Sequence, residues 1–210
     1  MINELFLYDR DNGLFKEILK QSVVINGRYH LCPDYGHELN TGNLNQYFKD
    51  EATGLTDVAK YPCCVCITPN SNLTNYNQQK GESFVFQLYF LTLAKRTADN
   101  QIRAMDRDTL TSMQHTWYDW LEMKNCAASF LETLHKVLLT KSTANGLRLR
   151  QYFNLNYEQG RIRRLTNFSV NQLNGASMSF TIDSLFNMCS NPDYDTNAIN
   201  DITIPTILNV

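Results

Sequence analysis

From Leu110 to Leu138 the apolar side chains Leu110, Met113, Trp117, Trp120, Leu121, Ala128, Leu131, Leu134 and Leu138 recur at three- and four-residue steps. That spacing is the period of an α-helix, and it predicts one long helix, or two joined near Asn125. A helix with one apolar stripe has to bury it, and a sheet is the natural partner; Trp117 and Trp120 are each expected to cover a large area of it. Asp106 or Asp108 supplies an N-cap, accepting the free amide hydrogens of the first turn. The macrodipole then accounts for both carboxylates of Asp106-Arg107-Asp108 without a metal.

The flanking segments supply the strands. Tyr61–Thr68 and Glu82–Ala94 are apolar, with β-branched and aromatic enrichment, and predict neighbouring strands joined by the extended polar connection PNSNLTNYNQQKG. Beyond the helix, Arg148–Asn154, Gly160–Val170 and Ser177–Met188 predict a three-stranded meander, with turns at Glu158-Gln159-Gly160 and Leu173-Asn174-Gly175. Near the N-terminus, Leu14, Phe15, Ile18, Leu19 and Val23 predict a short amphipathic helix within Asp11–Val24. Between it and the first strand, residues 26–60 are rich in Asn, Asp, Gly and Thr and read as a long loop. The fold class is therefore α+β: a mainly antiparallel sheet packed against one long helix plus a short N-terminal helix, with long loops and a C-terminal arm. One domain is expected over 1–194 and the arm over 195–210. The stretch Asn191–Val210, ending in ITIPTILNV, is either an arm that adds a strand to a neighbouring subunit or a frayed terminus.

Three cysteines crowd into Tyr61-Pro-Cys-Cys-Val-Cys-Ile-Thr-Pro69. On a strand, Cys64 and Cys66 point one way and Cys63 the other with Val65, so three thiolates do not converge. A zinc site on Cys64 and Cys66 would draw on His30, Cys32 and His37, but the spacing is not that of a zinc knuckle. The sequence favours small buried side chains. Cys126 and Cys189 have no local signature linking them to His115 or His135, which read as solvated or capping residues. No GxGxxG or GxxxxGK[ST] loop is present, so nucleotide enzymes are disfavoured. Neither a cofactor nor a metal is expected. A formal charge of −2 gives no global attraction to nucleic acid or an anionic membrane. No export signal is readable in MINELFLYDRDNG, and no apolar run approaches the roughly 20 residues of a membrane span. A soluble protein of a reducing cytoplasm is expected, with the sequons at Asn72 and Asn167 chance matches.

One stretch departs from this neutrality. Lys141, Arg148, Arg150, Arg161, Arg163 and Arg164 face a single acid, Glu158, with Tyr152, Phe153 and Tyr157 interleaved. If the strands pair as a hairpin, the arginines form one basic face able to bind phosphates or an acidic partner. The alternative is a solvated face whose charges discourage edge pairing.

The order of elements, with Ser112-Met-Gln-His-Thr-Trp-Tyr-Asp-Trp-Leu121 in the long helix and Leu173-Asn-Gly-Ala-Ser-Met-Ser-Phe180 leading through Cys189 to Asp193-Tyr194, resembles the tail-terminator, or tail-completion, proteins of tailed bacteriophages of Bacteroides-type hosts. The resemblance covers Asp11 to Tyr194 and implies a non-enzymatic virion protein, a homo-oligomeric ring at the head–tail connection. It further implies portal, neck or tail proteins as neighbours, non-specific contact with passing DNA, and no membrane. It brings no catalytic residues; the DNA-channel or partner-facing role falls to Arg148, Arg150, Arg161, Arg163 and Arg164. The long insert at 26–60 and the C-terminal tail depart from the family pattern. The other readings are a cytosolic non-enzymatic binding module and a zinc-binding protein.

Overall fold

The structure, a computed structural model, describes residues 5–32, 60–76, 79–93, 112–142, 148–168 and 173–184. Helical turn α1 (Leu5–Tyr8) and helix α2 (Leu14–Lys20) lead into β1 (Tyr29–Cys32). The hairpin β2 (Cys63–Tyr76) and β3 (Gln79–Leu93) precedes the long helix α3 (Ser112–Thr140). A 3-10 turn, Leu149–Gln151, then opens β4 (Phe153–Phe168), and β5 (Leu173–Ser184) follows. The five strands form one mixed, mainly antiparallel sheet in the order β1-β2-β3-β5-β4, in which only β1 and β2 are parallel. The fold class is α+β, as the sequence predicts. Among the described residues no helix is long and apolar enough to cross a membrane.

Side-chain alternation places the core. On β3, Phe84, Phe86, Leu88 and Phe90 face α3, and on β5 the same face carries Ala176, Met178, Phe180 and Ile182, all buried. Register sets these residues opposite one another: Phe86 pairs with Phe180, with ring centroids 5.5 Å apart, and Leu88 pairs with Met178. Cys64 and Cys66 extend this row onto β2, opposite Phe90 and Leu88. Helix α3 lays Met123, Ala127, Phe130, Leu131, Leu134 and Leu138 over it. Phe15 of α2 closes the end of the layer, edge-on to Phe86 at 5.1 Å and to Phe130 at 5.4 Å. The other sheet face holds a smaller apolar cluster that includes Cys32, Cys63, Val65, Tyr89, Leu91 and Leu173.

Several expected boundaries shift, each for a physical reason. The N-terminal helix stops at Lys20, and Val23 is 96% exposed in the turn that follows. That turn reverses through Asn26 and Gly27, both at positive φ, a conformation that Asn and Gly tolerate best. Residues 26–60 do not begin as a loop: Tyr29–Cys32 is a strand, because Cys64–Ile67 offers it a parallel ladder that no local pattern reveals. The supposed connection PNSNLTNYNQQKG belongs largely to the two strands it was meant to join. Pro69 sits at a register break between Ile67 and Asn70, a bulge being where a strand accommodates a residue without an N–H. The meander has two strands rather than three. Its expected first strand begins as the 3-10 turn, Glu158-Gln159-Gly160 falls in a register shift inside β4, and Leu173-Asn174-Gly175 begins β5 instead of turning.

Helix α3 is one helix, continuous through Asn125. Its buried line keeps Leu131, Leu134 and Leu138 of the expected stripe and departs from it in the first half. Asp119, Met123, Ala127 and Phe130 face inward, whereas Trp117 is 50% exposed and Ala128 lies in solvent. The caps at Asp106 and Asp108, Leu110, and the arm at 195–210 lie outside the described residues.

Candidate functional site

Strand β4 is an outer strand, hydrogen-bonded only to β5 among the described strands. Its arginines divide between two faces. Arg161 and Arg163 pair with Ser179 and Ser177, on the face away from α3, while Arg164 pairs with Ala176 on the α3 face. Arg148 and Arg150 lie before the strand begins, the first bridging Ser142 and the second in the 3-10 turn. The ladder partners of Phe153 and Arg164, Ser184 and Ala176, are eight residues apart on β5, a span of about 26 Å, so these two stand at the far end from Arg164. All five arginines are exposed, but they do not form the single basic face expected of a hairpin. The strand shift at Glu158-Gln159-Gly160 and the strict alternation after it separate them.

Instead, Arg164 meets the two tryptophans. Its guanidinium carbon lies 5.5 Å from the Trp117 ring centroid and 5.7 Å from that of Trp120. The indoles are 5.0 Å apart at an interplanar angle of 55°, and Lys124 Nζ stands 5.4 Å from Trp120, one helical turn on. A cation over an indole face contributes about 0.5–1 kcal/mol at an exposed site. The cluster therefore clasps the start of α3 to β4 while leaving half of Trp117 in water. Two tryptophans three residues apart signal this only once the helix phase is known; Lys124 carries no sequence signal of its own.

One residue before Trp120, a buried polar link joins α3 to β5 instead: Asn174 Nδ2 donates to Asp119 Oδ2 at 3.2 Å, with both residues 1% exposed or less. The sequence does not mark this pair, since Asn174 reads as part of a turn. On another side of α3, a cleft of about 430 Å³ opens toward α2, floored by Ile18, Leu19 and Phe130 and rimmed by Glu122, Ser129 and Cys126. Among the described residues no histidine lines it.

The cysteine-rich strand behaves as read. Cys64 and Cys66 lie in the core beneath α3, and Cys63 lies in the second cluster with Val65; all three are fully buried. Burial pushes the Cys66 thiol up to about 12, the neighbouring Tyr29 hydroxyl opposing only in part, and it raises Cys63 and Cys64 as well. Such thiols are poor nucleophiles. Tyr29 is itself pushed up, chiefly by burial, and its hydroxyl donates to the Tyr8 carbonyl at 2.8 Å. The zinc grouping does not assemble: His30 and Cys32 alternate onto the other face of the sheet from Cys64 and Cys66, and His37 lies outside the described residues. Among the described residues no group of three or more His, Cys, Asp or Glu side chains is placed to hold a metal. Burial, with Arg10 and Lys16 nearby, lowers His30 to about 4, so it is neutral at pH 7. His135 is neither solvated nor a cap. It is partly buried, its ring edge-on to Tyr157 of β4 at 5.2 Å. The side chain of His115 lies outside the described residues.

The described residues thus place an outer strand with arginines on both faces beside an indole–cation cluster. In comparisons with models of protein families, with curated proteins and with solved structures, nothing matches this chain.

Proposed function

We propose that this chain is a non-enzymatic structural protein of a tailed-phage particle, assembling with itself into a ring at the head–tail connection, as a tail terminator or neck protein does. In this reading it sits in the virion after assembly in the host cytoplasm, between portal, neck or tail neighbours, around the DNA channel. The observation that carries the reading is the pair of unlike edges on its sheet. One is the outer side of β4, which among the described strands pairs with nothing beyond β5. The other is the Asn70–Tyr76 half of β2, which among the described strands extends past the four residues that β1 covers. Two different edges on one subunit suit head-to-tail contacts, and such contacts generate a ring when their rotation closes. Exposed Arg161 and Arg163 on the open face of β4 add positive charge that attracts a phosphate backbone without reading its sequence.

Charge reversal tests it. Arg161→Glu with Arg163→Glu changes two exposed residues whose loss leaves the core intact, so the folded chain should keep its melting temperature. The expected result is a fall of tenfold or so in infectious, DNA-filled particles, since each lost phosphate contact weakens binding and like charges then repel DNA. Unchanged particle yield and DNA retention would remove the arginines from the proposal.

A further inference from the structure

We propose that Trp117, Trp120, Lys124 and Arg164 form a binding site for single-stranded nucleic acid, with a base stacked on the open half of Trp117 and the flanking phosphates on Arg164 and Lys124. Burying an indole is strongly favourable, yet Trp117 remains 50% exposed on α3. Beside it lie two cations, and among the described residues neither Arg164 nor Lys124 is in a salt bridge. Asp119, the carboxylate next to Trp120 in sequence, is buried and accepts from Asn174. A ligand that suits the site must therefore offer a flat π face and negative charge a few ångströms apart. Nucleic acid repeats that pair at every nucleotide. Single strands expose the base faces, whereas a duplex hides them. An acidic peptide supplies the charge without a regularly spaced ring. Arg164 keeps donors for phosphate, because stacking on indoles occupies its face and leaves its N–H groups at the edge. The site lies on the opposite face of β4 from Arg161 and Arg163, so it stands independently of the ring reading.

The chain's two tryptophans are both in this cluster, so tryptophan emission excited beyond the absorption of its tyrosines reports on the site alone. The experiment titrates the full chain with a thymidylate oligonucleotide of about 15 nucleotides, against polyphosphate and poly-glutamate of matched charge. The expected result is saturable quenching by the oligonucleotide and little by either polyanion. With a labelled oligonucleotide, anisotropy should show W117A weakening binding by about 5- to 150-fold and W117F retaining most of it, the range expected for one stacked base. K124Q with R164Q should lower the salt slope by about 1.4, the value for two phosphate contacts on a single strand. No binding at roughly 100 µM overturns the proposal, as does equal quenching by poly-glutamate, which would mark an acidic-peptide surface instead. Affinity unchanged in a folded W117A overturns it too; if W117A melts, the comparison of oligonucleotide with polyanions on the unaltered chain decides.

Discussion

Gly175→Ala should unfold the domain at markedly lower denaturant, a loss of about 3 kcal/mol or more, in the range of forced overpacking against atoms that cannot move. Gly175 lies on β5 between Leu91 of β3 and Leu165 of β4. A Cβ built there would collide with the Phe90 carbonyl oxygen and stand 3.2 Å from the Leu91 Cα. Both belong to the backbone of the central strand, so relief requires prising β3 from β5 where they carry the core. Gly160→Ala is the control. Its Cβ would meet chiefly the Leu131 Cδ2, at 2.8 Å, the end of a side chain that can rotate away. It should cost less than about 1.5 kcal/mol. Chemical denaturation of both variants checks the pair, and a Gly175→Ala midpoint equal to that of the unaltered chain would mean that β3 and β5 do not approach this closely.

Phe86→Ala should cost about 4 kcal/mol, within the range for emptying a buried aromatic site. Phe86 is fully buried and lies where three parts of the fold meet. Its ring touches Phe180 across the ladder, Phe84 along its own strand at 6.3 Å, and Tyr8 and Phe15 from the N-terminal helices at 5.9 and 5.1 Å. Removing it also loosens α1 and α2, which rest on that ring rather than on a ladder. Phe86→Leu, which keeps most of the volume, should lose less than half as much. Amide exchange at Leu19 should accelerate in Phe86→Ala more than exchange at Leu88, whose amide belongs to the sheet. A loss under about 1 kcal/mol would remove Phe86 from the centre of the core.

Much of this fold is legible in the residues, and the misses share a cause. The helix at Ser112–Thr140 and the faces of Cys63, Cys64 and Cys66 follow from periods of 3.6 and 2, which are local properties. What stays hidden depends on partners distant in sequence. Tyr29–Cys32 is a strand only because Cys64–Ile67 lies beside it. The polar residues Asn70–Asn72 extend a hairpin because β3 offers matching ladder bonds, and Gly175 looks like a turn until Phe90 occupies the space its side chain would need. The candidate site shows the same limit. Arg164 and Trp117 each stand out in the sequence, but one as a member of a basic strand and the other as a core residue. Their contact depends on the rotation of α3 over β4, which no spacing fixes. Arg148 and Arg150 stand close to the strand arginines in sequence, and the 3-10 turn separates them.

The two proposed recognition surfaces have different consequences. Arg161 and Arg163 face away from α3 and suit a partner that reads charge alone, such as duplex passing through a channel. The indole cluster lies on the α3 face and suits a flat ring with charge beside it. Loss of one should leave the other intact, because Ser177 and Ser179 pair with the first two arginines and Ala176 with Arg164, on opposite faces of β5. The central proposal, a ring in a phage particle, is tested most directly by quantitative mass spectrometry of density-purified phage particles from a lysate in which this chain is made. The account predicts the chain in the particles at a fixed copy number, far below that of the major capsid protein and matching the subunits of one ring. Particles that are infectious and complete without it would contradict the account.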